Sequence, residues 1–180
     1  VPVTAGHCCS LAVQDEATIA RTLDLVAEAG VNVVSLPMCN LYLQGRRSRG
    51  TPRWRGVTLV HEMAARGIPV SVASDNCRDP FFGYGDHDGL EVFTQAVRIC
   101  HLDRPFGAWP NAIARTPAAV MGIEGAGRIA VGLPADLVLF SARGFSELLS
   151  RPQADRVVLR RGRAIDTTLP SYRELDAIQA

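Results

Sequence analysis

IPVSVASDNCRDPFFGYGD, residues 68–86, decides how the rest of the chain is read. Residues 68–73 are apolar and β-branched enough to form a buried strand. The run stops at Ser74-Asp75-Asn76 and enters a loop that carries Asp79, Pro80, Phe81, Phe82 and Gly83-Tyr84-Gly85. A carboxylate at the end of a buried strand is partly desolvated. It must be paired, hydrogen-bonded or bound to a cation, or its pKa rises. Asp-Asn is also ordinary turn chemistry, so a turn cap and a cation site both stand for Asp75.

The pattern repeats upstream. Residues 1–5 and 31–36 read as apolar strands, the first ending at Gly6-His7 and the second closed by Pro37. Between them Asp15 is placed as an N-cap, and Ile19, Leu23, Val26 and Ala27 fall at helical spacing before Gly30. Residues 41–54 read as a polar, arginine-rich loop. A second helix spans 57–66, with Gly67 as its stop. Strands apolar on both faces, alternating with amphipathic helices, indicate a parallel sheet covered by helices. A doubly wound sheet and a (β/α) barrel both satisfy this α/β pattern, and the long loops after the strands favour the barrel. In either fold, chemistry collects at the carboxyl ends of the strands, here His7, the residues after Pro37, and Asp75.

Further helices are expected over 90–100 and 111–121. After Gly127 the texture changes to short strands over 128–131, 136–140, 156–160 and 163–166, with one short helix near 145–149. This is the pattern of a small antiparallel β unit. The boundary is set near Gly125–Gly127, giving domains 1–126 and 127–180. Residues 168–180 read as a surface tail.

The chain has 180 residues, 47% of them apolar, and a formal net charge of +1. That balance argues against nucleic-acid and membrane-surface partners. The one dense basic run, Arg46, Arg47, Arg49, Arg53 and Arg55, reads as a solvated loop or an anion clamp. No apolar run approaches the roughly 18 residues of a membrane span. Five cysteines without framework spacing suggest a reducing, cytoplasmic setting. Cys8, Cys9, Cys39 and Cys77 all lie just past strand ends, but no Cys-x-x-Cys occurs, and thiols also behave as small hydrophobes. His61, on a helix beside Glu62, reads as a surface residue, and His87 and His101 receive no role. Phe81, Phe82 and Tyr84 are either core residues or a stacking wall for a flat ligand.

VTAGHCCS (3–10), NLYLQGR (40–46) with RGVTLVHEM (55–63), and ASDNCRDPF (73–81) occur in an order and spacing that resemble the cytosine deaminase group of the amidohydrolase superfamily. The ending GRIAVGLPADLVLF (127–140) with RVVLRRGRAI (156–165) is similar to that superfamily's C-terminal β-sandwich module. The resemblance implies the C-terminal part of a (β/α)8 barrel, about strands six to eight, followed by part of the sandwich. It implies one divalent metal ion, zinc or iron. Asp75 would be metal ligand and proton acceptor from the attacking water. His7 would hydrogen-bond the hydroxide and the developing oxyanion. Asn76 and Phe81 would stand nearest the heterocyclic substrate.

The implied reaction is hydrolytic deamination, with cytosine as the first candidate substrate. Ser74-Asp75-Asn76 replaces the His-Asp-Asp typical of the group. An amide donates where a carboxylate only accepts, so pterins, triazines and other cyclic amidines are alternatives. The group's His-x-His pair, its later His and its proton-shuttling Glu have no counterpart among the 180 residues. The expectation is therefore a C-terminal fragment whose partner is the N-terminal half of the barrel, homo-oligomeric when complete. The rivals are hydrolysis of a cyclic amide, a non-catalytic truncated fragment or split-enzyme subunit, and a doubly wound binding module. The last lacks a Gly-rich phosphate turn.

Overall fold

The computed structural model describes residues 2–54 and 56–179. Val1, Arg55 and Ala180, which fall within the expected first strand, basic run and tail, lie outside the described residues. The chain divides into two compact units, Val1–Arg128 and Ile129–Ala180.

The first unit is built on three parallel strands in the order β1 (Thr4–Gly6), β2 (Asn32–Ser35), β3 (Val70–Val72). Ala5 lies opposite Val33, and Val34 opposite Ser71. Helix α1 (Glu16–Glu28) returns the chain from β1 to β2. Asp15 caps it as expected, its carboxylate accepting from the Thr18 N–H, and Gly30 ends it at a positive φ. Ile19 and Leu23 bury its apolar stripe.

After β2 the chain departs from expectation. Pro37 closes the strand, but it also starts a helix, α2 (Pro37–Leu43), in which Pro37, Met38, Cys39 and Asn40 are all buried. Proline suits the first helical turn because its missing N–H has no intrahelical partner there in any case. The expected loop over 41–54 therefore begins after Leu43. Helix α3 (Val60–Ala65) follows, with Val60 and Met63 buried, and leads into β3, buried along its whole length. Helix α4 (Gly89–Cys100), capped by Asp88, packs Val92, Phe93, Ala96, Val97 and Cys100 inward.

The helix expected over 111–121 is broken. A 3₁₀ turn over Trp109–Ile113 ends at Ala114, and α5 (Arg115–Val120) starts afresh. Pro117 has no N–H to donate to the Ile113 carbonyl, and its ring clashes with that carbonyl, so one continuous helix cannot run through it. Gly127 packs closely against the break. A Cβ on Gly127 would stand 2.3 Å from the Ala114 carbonyl oxygen, so only glycine lets the two backbones approach.

The second unit is a small antiparallel sheet, β4 (Leu137–Leu139), β5 (Val157–Arg160) and β6 (Arg163–Ala164), with a short helix α6 (Phe145–Leu148) and a terminal α7 (Asp176–Gln179). Val138 pairs with Val158, and Leu159 with Ala164. Gln153 is buried here, its amide donating to the carbonyls of Glu147 and Leu148. The strand expected over 128–131 does not form: Ile129 and Val131 are exposed coil. Two apolar residues between Gly127 and Gly132 satisfy the alternation but have no neighbouring strand to bond among the described residues.

Candidate active site

Three successive strand ends meet at the carboxyl edge of the parallel sheet. His7 follows β1, Asn40 lies in the helix that follows β2, and Asp75 follows β3. His7 Nε2 stands 3.9 Å from Asp75 Oδ2, with the Asp75 side chain 23% exposed and that of His7 49%. On the other side of the ring, Asn40 Nδ2 lies 2.9 Å from His7 Nδ1. The expected pair is brought together, with a third residue that the sequence reading left without a role.

The backbone at these points is unusual. His7, Cys8 and Asp75 have φ of 63°, 52° and 66°. Residues other than glycine adopt this region rarely, though Asp and His more readily than most. The His7 turn is held by Cys8 N–H donating to Gly6 O at 2.8 Å, His7 N–H donating to Val34 O at 3.0 Å, and buried Thr58 donating its hydroxyl to Cys8 O at 2.9 Å. Strained conformations over-determined in this way cluster at functional sites.

Helix α2 organises the surroundings. The Cys39 thiol donates to Asn76 O at 3.7 Å. Burial, reinforced by the Asp75 charge, pushes that thiol up to about 11, so it stays protonated and serves as a donor. Burial also raises Cys8, and it raises Cys9 with a contribution from Cys8. All five cysteines are free. Tyr42 meets Phe82 and Tyr84 edge to face, at centroid distances of 5.1 and 5.8 Å, and Arg46 lies over the Tyr42 ring at 4.3 Å. The first arginine of the basic run thus stacks on an aromatic face.

Asp79 pins the loop after Asp75. Its carboxylate accepts from the Asn76 amide at 2.5 Å and from the Phe81 and Phe82 N–H groups at 2.8 and 2.9 Å. The Asn76 bond first, and the backbone N–H of Phe82 after it, hold its carboxyl below the usual range. Asn76 therefore spends one amide hydrogen inside the loop. Phe82 is buried, whereas Phe81 is 65% exposed. Ser74 and His87 form a second pairing beside Asp75, with Oγ and Nδ1 2.9 Å apart. His61, exposed as expected, places Nε2 2.7 Å from Cys100 O and its ring against Trp109.

Asn40 and the Ser74–His87 pair are what sequence reasoning missed. A polar Asn among the apolar residues Met38 to Leu43 is the signal that could have pointed to the first. Nothing in the spacing of 74 and 87 points to the second.

Among the described residues, no group of three or more His, Cys, Asp or Glu side chains is arranged to hold a metal ion. Asp75 is the carboxylate that the structure sets beside His7. The donors thus fit a share of a metal site rather than a whole one.

A parallel sheet with helical returns, carrying a His–carboxylate pair at its carboxyl edge, places the chain in the β/α class with a candidate site at its strand ends. The amidohydrolase family model matches residues 1–168, and the chain belongs to that family. It is 64% identical over 176 residues to a pterin deaminase of Rhizobium rhizogenes, covering 98% of this chain and 40% of that protein. It is 26% identical to a 5-methylthioadenosine/S-adenosylhomocysteine deaminase of Nitratidesulfovibrio vulgaris, across 78% of this chain and 28% of the relative. The chain thus spans well under half the length of these curated relatives. Among solved structures, 5-methylcytosine deaminase from Klebsiella pneumoniae liganded with phosphonocytosine superposes with a TM-score of 0.77 at 27% identity, covering 95% of this chain and 42% of that one. N-isopropylammelide isopropylaminohydrolase from Burkholderia multivorans shares the fold, with a TM-score of 0.68 at 24% identity. No helix among the described residues is long and apolar enough to cross a membrane.

Proposed function

We propose that the full-length protein is a metal-dependent hydrolytic deaminase of an aminated heterocycle, and that these residues supply the part of its active site built on strands six to eight of the barrel. The observation that carries the reading is the convergence of His7, Asn40 and Asp75 from three consecutive strand ends. Asp75 is the metal ligand contributed here, and the remaining donors come from outside these 180 residues. When bound, a divalent ion, zinc or iron, lowers the pKa of the attacking water. Asp75 accepts the proton that the water loses and returns it to the departing nitrogen. His7 directs Nε2 toward the same space and hydrogen-bonds the oxygen as negative charge develops on it. Water adds at the amidine carbon, the C–N bond breaks, and the amino group leaves as ammonia while the ring gains a carbonyl.

A pterin is the substrate class best supported, because the relative at 64% identity is a pterin deaminase. Cytosine is the second reading, supported by the likeness to 5-methylcytosine deaminase. Both rings contain the amino-substituted C=N that the chemistry needs. On this reading Asn76 and the exposed Phe81 contact the ring. Five free thiols suit a cytoplasmic setting. Residues 127–180 contribute part of the β-sandwich module.

The test is ammonia release by the full-length protein from pterin, cytosine and a triazine, beside the Asp75→Ala variant. Release from pterin that vanishes in the variant supports the reading. Release from none of these rings, by a folded and metal-loaded protein, overturns it.

A further inference from the structure

We infer that Asn40 is a positioning residue that fixes His7 in the tautomer carrying its proton on Nε2. The inference rests on the role given above to His7.

Asn40 is 5% exposed. Its backbone is satisfied within α2, the N–H donating to Leu36 O and the carbonyl accepting from Gln44 N–H. That leaves the side-chain amide free to act outward, and a buried amide needs a partner. Its Nδ2 lies 2.9 Å from His7 Nδ1. An amide NH2 only donates, so Nδ1 must offer a lone pair. A neutral imidazole has one N–H, which is then on Nε2. Nε2 is the nitrogen that faces Asp75 Oδ2 at 3.9 Å. The ring thus presents a donor, not a lone pair, toward the carboxylate and the space beside it.

An inverted amide would require Nδ1–H and would turn a bare Nε2 lone pair toward an acceptor-only carboxylate. The geometry therefore disfavours it. Asn40 reaches the ring because Pro37 starts α2 at the end of β2, so the helix's first turn lies beside His7. A ring held in the other tautomer would have no hydrogen to give a developing oxyanion.

The experiment is imidazole nitrogen NMR on the full-length protein with 15N-labelled histidine, with the His7 signals assigned through the His7→Asn variant. Wild type should show the neutral ring protonated at Nε2 and bare at Nδ1. Asn40→Asp, an acceptor of the same shape, should move a proton to Nδ1. It should lower kcat about 10- to 100-fold, as partners that orient a histidine typically do, with KM little changed. Asn40→Leu, which keeps the volume and removes the donor, should give mixed tautomers and a smaller fall in kcat. A wild-type ring protonated at Nδ1 overturns the inference, and so does an unchanged tautomer in both Asn40 variants. If either variant fails to fold, the wild-type spectrum decides. Should His7→Asn retain full turnover, the catalytic reading of His7 falls, while the tautomer measurement still judges Asn40 on its own.

Discussion

Strands β3, Val-Ser-Val, and β4, Leu-Val-Leu, are both three residues long and largely apolar, with opposite surroundings. Every residue of β3 is buried, while Val138 and Leu139 of β4 stay exposed. The difference is in what lies over each strand. β3 is the third strand of a parallel sheet whose connections are helices, and α3, α4 and α5 all pack near it. β4 belongs to an antiparallel sheet of short strands held mainly by backbone bonds and by exposed ion pairs such as Arg160–Asp136. A helix-covered parallel sheet buries its strands and brings their carboxyl ends together at one edge. The candidate site lies in the first unit, where His7 and Asp75 meet at those strand ends.

Substitutions in the two units should therefore differ widely in cost. Phe93→Ala, at a side chain only 2% exposed in α4, is expected to destabilise the full-length protein by about 3–5 kcal/mol. Val138→Ala, at a side chain 47% exposed among these 180 residues, should cost clearly less, because a smaller and only partly covered side chain is truncated. Urea denaturation of both variants measures the contrast, and equal losses would break it. Gly127→Ala comes between. Its Cβ would meet the Ala114 carbonyl, and its φ is 71°, so a loss of roughly 1–3 kcal/mol is expected.

A smaller effect should follow pH. The Asp79 carboxyl is depressed in the folded chain, first by the Asn76 amide. Its contribution is therefore complete above the ordinary carboxylate pKa of about 4 and is lost as pH falls through the lower folded value. The protection of the Phe81 and Phe82 amides, taken relative to intrinsic exchange at the same pH, should fall in that acid window, and at every pH in Asp79→Ala. Fast exchange in wild type at neutral pH would show that Asp79 does not hold the loop. The least effect is expected in the second unit. Arg143→Ala removes an exposed i,i+4 pair with Glu147, and pairs of this kind contribute little, so the melting temperature should not move measurably.

Much of the first unit was legible because its signals are local. Asp15, Gly30 and Gly67 act through their own backbone chemistry, and the sequence places each where the structure has it. Asp75 and His7 could be singled out because a titratable group at the end of an apolar strand is conspicuous. Other features depend on partners far along the chain. Pro37 ends one element and begins the next, and sequence pattern shows only the first role. The close approach of Gly127 to the Ala114 carbonyl is not visible locally, and Ile129 and Val131 have no neighbouring strand among the described residues. Asn40 was hidden inside a run read as a strand end and a loop. Its meaning depends on a ring 33 positions away.

The central claim, that Asp75 holds metal while His7 serves the reacting oxygen, is tested most directly by metal content and ammonia release in full-length Asp75→Ala and His7→Asn. The account predicts that both variants lose turnover, that Asp75→Ala binds much less metal, and that His7→Asn retains more of it. Equal metal loss in the two variants, or wild-type turnover in Asp75→Ala, would contradict it.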